Sequence, residues 1–108
     1  MSADSLINTN HVTVQDFVDA YRHEGEIQVI AGSKAGMRRR IREPTLNRPG
    51  LALAGFTQYF ACKRVQVLGK AEAAFLRSLD ESERLERFRT IFGSRFRVPC
   101  LVICRYIR

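Results

Sequence analysis

The stretch Arg64-Val65-Gln66-Val67-Leu68 reads as a buried strand that stops at Gly69, and a helical pattern through Ala71, Ala74, Phe75 and Leu79 follows at once. A strand that feeds a helix in this way is half of a βαβ unit, and that restricts the chain to α/β architectures. Asp80 and Glu83 have the spacing of a capping box for a further helix. Along it Leu85, Phe88 and Phe92 mark the inner face, Glu83 and Arg87 can pair at i,i+4, and Gly93 ends the element. Val98 to Ile103 closes the sequence as a largely apolar strand, the pattern of a position covered on both faces. The expected fold is therefore α/β, with flanking helices on a small, mostly parallel or mixed sheet, in two or three layers.

The first half of the chain is less regular. Residues 1–10 read as a mobile leader, and residues 11–108 as a single domain, for which 108 residues suffice to bury roughly 65% of the unfolded surface. Thr13 caps a helix with Asp16 completing an acidic capping box, and Val12 and Phe17 hold the positions of a hydrophobic staple. Val14, Phe17, Val18 and Tyr21 share its apolar face, and Gly25 is placed to stop it. Ile27 to Ala31 reads as a strand, residues 32–39 as a loop rich in Lys, Gly and Arg, and Arg40-Ile41-Arg42 as an edge strand. Phe56, Tyr59 and Phe60 are spaced as one face of a helix packed on the core, with base stacking as the alternative.

Lys and Arg number 18 against 11 acidic residues, a formal net charge of +7, and the excess is unevenly placed. Residues 37–42 are dense in arginine, no acid occurs between Glu43 and Glu72, and none follows Glu86. Such a balance keeps nucleic acid or an acidic protein open as partners. Yet there is no Trp, no RNA-recognition motif and no paired-cysteine finger, so nucleic acid is the disfavoured partner and solvated arginines guarding a sheet edge the plainer account. Cys100 and Cys104 sit on one face of a strand about 13 Å apart, too far for a disulfide. No histidine stands near the three cysteines at ligand spacing, and no metal is expected. The opening residues lack a signal peptide's basic and apolar regions, and no apolar run approaches the ~20 residues of a membrane helix. His11 and His23 have no nucleophile in range, with His23 reading as a favourable charge near a helix C-terminus, so no catalytic residue is expected.

The nine residues from Asn47 to Gly55 carry the candidate site. Asn47 can serve as N-cap, Pro49 fits a first helical turn, Gly50 permits close approach, Leu51 to Ala54 supply a short apolar helix, and Gly55 can end it. With Arg48 beside free backbone N–H groups the turn suits an anion. Equally, Arg48 can pair with a carboxylate of the chain in a packed turn. A second helix start, Gly69 and Lys70, offers the same chemistry, because a cation in a first turn opposes the helix dipole unless an anion answers it. The candidate anion- or ligand-binding set is thus Asn47, Arg48, Gly50, Leu51, Gly69 and Lys70.

These blocks also carry a resemblance. "NRPGLALAGF", then "RVQVLGKAEAAFL", then "VPCLVICR" resemble, in order, the N-terminal domain of bacterial HPr kinase/phosphorylases, from "VTVQDFVDAY" to the last residue. The resemblance implies a bacterial, cytoplasmic protein of the sugar phosphotransferase regulatory system (carbon catabolite control) and a fold similar to the UDP-sugar-binding domain of Mur ligases. In that family a separate catalytic domain holds the phosphate loop and uses ATP and magnesium, so no cofactor is expected for this chain. The pattern G-x-x-x-x-G-K-[ST] occurs nowhere here: before Gly69-Lys70 the first glycine's place holds Arg64 and the hydroxyl's place holds Ala71, and Gly32-Ser33-Lys34-Ala35-Gly36 has the composition without the order. The resemblance implies a non-catalytic accessory or regulatory domain for assembly or ligand sensing. Its expected partners are the family's catalytic domain and HPr, with a homo-oligomer in the full-length protein and no membrane. A stand-alone module for a phosphometabolite or nucleotide-sugar, and a basic nucleic-acid-binding domain, remain the alternatives.

Overall fold

The computed structural model describes residues 12–22 and 27–104. They fall into two compact units divided after Pro44. The proposed leader, His11, His23, and the expected helix stop at Gly25 lie outside the described residues.

The first unit is built on α1 (Val14–Arg22) and α2 (Lys34–Met37). The box at the start of α1 forms as its sequence dictates: Thr13 N–H donates to Asp16 Oδ2 at 2.9 Å, and Asp16 N–H to Thr13 Oγ1 at 3.2 Å. Val14 and Val18 are buried, and the Phe17 and Tyr21 rings meet at 5.2 Å one turn apart. No strand forms over Ile27 to Ala31: that stretch has no ladder partner among the described residues, and Ile30 is 78% exposed. Apolar residues alone do not make a strand when no neighbour completes the ladder. The expected loop contains α2, whose Ser33 accepts from Gly36 N–H at 3.0 Å. Residues 40–42 show the predicted alternation, Ile41 buried between exposed arginines, but the edge strand shrinks to one antiparallel bridge, Arg40 to Thr13.

The second unit contains α3 (Gly50–Leu53), β1 (Gln66–Leu68), α4 (Lys70–Ser78), α5 (Glu81–Phe92) and β2 (Leu101–Ile103). β1 and β2 pair in parallel, Gln66 opposite Leu101 and Leu68 opposite Ile103. Parallel neighbours need a crossover, and the α4–α5 pair supplies it. Leu53, Leu68, Leu76 and Ile91, with Ala52, form the core, and Phe60, Phe75, Phe88, Phe92 and Leu101 pack around it. α3 packs against both α4 and α5.

Three expectations in this unit need correction. Leu85 is 48% exposed, and Ile91, at 1%, is the residue of α5 that reaches the core. Phe56 to Cys62 forms turns rather than a helix; only Phe60 enters the core, edge-on to Phe96 at 5.1 Å, while Phe56 and Tyr59 pair with each other at the surface. β2 is not covered on both faces: Leu101 and Val102 are half-buried and Ile103 is exposed. Among the described residues β2 has only β1 as a ladder partner, so it stands at a sheet edge.

Candidate functional site

The segment before α3 is tied to β1 as though it were a third strand. Asn47 N–H donates to Val65 O at 3.0 Å, Val67 N–H donates to Asn47 O at 2.8 Å, and the pair Asn47–Gln66 is a parallel bridge. On its other side β1 pairs with β2, so its backbone is satisfied in both directions. Gln66, fully buried, completes the junction: its Oε1 accepts from Asn47 Nδ2 at 2.7 Å, and its Nε2 donates to Ala61 O and Arg64 O at 2.8 and 2.9 Å. A buried amide with all these partners costs little and fixes one register.

Asn47 is therefore not the N-cap of α3. That place is held by Pro49, with no side-chain cap bond, because the Asn47 amide is committed to Gln66. Gly50 is not needed for close approach, since a Cβ there would meet nothing within 4 Å. Leu51 points outward, 73% exposed, while Ala52 and Leu53 face the core. Gly55, at φ +111°, ends the helix in a conformation that only glycine adopts without strain.

Arg48 reaches the start of α4. Its Nε donates to Glu72 Oε1, and its Nη2 to Glu72 Oε2 at 3.0 Å. Glu72 Oε1 also accepts from Gly69 N–H at 2.9 Å. The carboxylate thus lies between a forked guanidinium and the first amide of a helix, the two groups that would have received an external anion. Glu72 is 4% exposed. Burial pushes its pKa up, yet the Arg48 hydrogen bonds and the Gly69 N–H outweigh burial and hold it below the usual carboxylate value. Gly69 matters through its missing side chain: a Cβ would stand 2.8 Å from Arg48 Cζ.

Of the six candidate residues, Arg48 and Gly69 come together on Glu72, Asn47 joins β1, and Gly50, Leu51 and Lys70 take no part in that contact. Glu72 was missed from sequence. Its signal was position: the third residue after a strand-ending glycine, and the one acid on an otherwise apolar run. Cys62, Cys100 and Cys104 are all free thiols. Burial pushes the Cys100 thiol up to about 11, so it stays protonated near neutral pH. Among the described residues no cluster of His, Cys, Asp and Glu can hold a metal, and no helix is long and apolar enough to cross a membrane.

The second unit is thus a small α/β unit, a two-strand parallel sheet with flanking helices. The family comparison makes this particular: the HPr Serine kinase N terminus family matches residues 12–108, and the chain belongs to that family. An HPr kinase/phosphorylase of Chlorobium limicola is 53% identical over 66 residues, covering 61% of this chain and 19% of that protein. One from Chlorobium phaeobacteroides strain BS1 is 41% identical over 93 residues, covering 85% and 27%. One from Prosthecochloris aestuarii is 47% identical over 66 residues, covering 61% and 19%. The chain spans about a fifth to a quarter of the length of these relatives.

Proposed function

We propose that this chain acts as a non-catalytic accessory domain of an HPr serine kinase/phosphorylase, in the cytoplasm of a bacterium and within sugar phosphotransferase regulation. The observation that carries this reading is the family match over residues 12–108, in relatives that devote only 19 to 27% of their length to the matched segment. The absence of a phosphate-loop pattern from these 108 residues agrees with it. ATP, magnesium and the phosphorylated serine of HPr belong, on this account, to a catalytic domain that partners this one, in a homo-oligomeric assembly.

The test is incubation of the chain with HPr, magnesium and ATP, followed by mass spectrometry of HPr. HPr should remain unmodified. Stoichiometric phosphorylation of an HPr serine would overturn the non-catalytic reading.

A further inference from the structure

The turns that replace the expected helix over Phe56 to Cys62 leave aromatic rings at the surface of the second unit, away from the Arg48 contact. Tyr59 is 80% exposed and Phe56 51%, with their ring centroids 6.2 Å apart. Leu51, whose carbonyl accepts from Phe56 N–H at 3.0 Å, is exposed beside them. Phe60 joins this segment to a second turn, residues 93–97, by standing edge-on to Phe96 at 5.1 Å. Arg95 lays its guanidinium over Phe96, 4.9 Å from the ring centroid. Lys63, Arg95 and Arg97 are exposed, and neither residues 55–63 nor residues 93–97 contain an acid. Gly55, Thr57, Arg87 and Arg95 border one cleft, whose acids, Glu83 and Glu86, come from α5, where Arg87 and Glu83 attract each other. Residues 1–44 hold acidic and basic side chains in equal number, so the whole excess of +7 belongs to residues 45–108.

We propose that this surface, the Phe56 and Tyr59 rings with the basic residues of the two turns, binds single-stranded nucleic acid. Unpaired bases stack on the two rings, Leu51 adds apolar contact, and Lys63, Arg95 and Arg97 take phosphates. Exposed rings interleaved with lysine and arginine favour a strand of phosphates over an acidic polypeptide, because the core of a protein–protein interface is depleted of charged residues. A duplex fits less well, since its bases are stacked on one another and offer the rings no face. From sequence these aromatics read as core, with base stacking as the alternative; the fold leaves two of the three in water. The proposal stands independently of the kinase accessory role.

The test is fluorescence anisotropy on the full chain with a labelled oligothymidylate of about sixteen nucleotides, DNA serving because neither stacking nor phosphate pairing reads the 2′-hydroxyl. Tyr59→Ala should weaken binding by about fivefold or more, and Phe56→Ala added to it by about tenfold or more in total, while Tyr59→Phe, which keeps the ring, should change it by less than about twofold. Lys63→Gln with Arg95→Gln should lower the slope of log affinity against log salt by about 1.4, a readout that loss of packing alone would not move. A self-complementary hairpin of the same length and charge should bind more weakly by about threefold or more. Helix content in circular dichroism should stay native in every variant, and if the double alanine variant unfolds, the single Tyr59 variants and the charge variant decide. No binding, undiminished binding in Tyr59→Ala, an unchanged salt slope, or equal binding of the hairpin would each overturn the proposal. Tighter binding of a polyglutamate of equal charge would overturn it in favour of an acidic polypeptide.

Discussion

The starts of α4 and α5 solve one problem in two ways. Each helix presents orphan N–H groups, and each receives a carboxylate from its own chain. At α5 the carboxylate is Asp80 at the N-cap, which accepts from Glu83 N–H at 2.9 Å and from Ser82 Oγ at 3.0 Å, in full contact with water. Those hydrogen bonds hold its pKa below the usual value. At α4 the N-cap is a glycine with no side chain, so the carboxylate comes from Glu72, inside the first turn, and is buried under Arg48. The exposed cap is local, joining residues two and three apart in sequence. The buried one links residues 24 apart in sequence, so that capping a helix also fastens the segment before α3 to the β1–α4 junction.

This contrast orders the expected losses. Glu72→Ala removes the helix cap and the guanidinium's partner together, and should cost about 3 kcal/mol in chemical denaturation, at the lower end of the range for a broken buried pair because Arg48 keeps access to water. A loss below about 1 kcal/mol would make the two helix starts equivalent and break the comparison. Gly69→Ala sets a methyl against the guanidinium and should cost about 1 to 2 kcal/mol by forcing Arg48 aside. The same loss in Gly69→Ala combined with Arg48→Ala would show that the collision is not its cause. Asp80→Ala should cost about 1 kcal/mol, as for an ordinary cap.

Acid sharpens the comparison further. The folded-state pKa of Glu72 is lowered from 4.5, so its contribution is complete above that value and is lost as pH falls through the lower folded value. Between neutrality and the onset of acid unfolding, Glu72→Gln should flatten the fall in stability. An unchanged pH profile in that variant would mean that Glu72 is not held ionised by Arg48.

The sequence disclosed the parts of the fold whose cause is local. Thr13 with Asp16, Asp80 with Glu83 N–H, and the run from Val65 through Gly69 into α4 were readable because capping and strand-to-helix transitions act over a few residues. Ile27 to Ala31 and Phe56 to Cys62 misled for the opposite reason: each has apolar content, but its conformation depends on partners that no window of sequence displays. The candidate site was legible by half. Arg48 and Gly69 stood out through their chemistry, and a carboxylate partner for Arg48 was one of two open outcomes. Gln66, a polar residue between two valines, reads as an ordinary strand position until Asn47 is seen beside it.

Glu72 occupies the space between the Arg48 guanidinium and the Gly69 N–H, the two groups an external anion would need there. The most direct test is a thermal melt of the parent chain and of Arg48→Ala, each in phosphate and in chloride at matched ionic strength. Arg48→Ala should lower the melting temperature in both salts, and phosphate should give the parent no specific gain. A phosphate-specific rise in the parent that disappears in Arg48→Ala, the signature of a ligand bound to the folded state, would contradict that placement of Glu72.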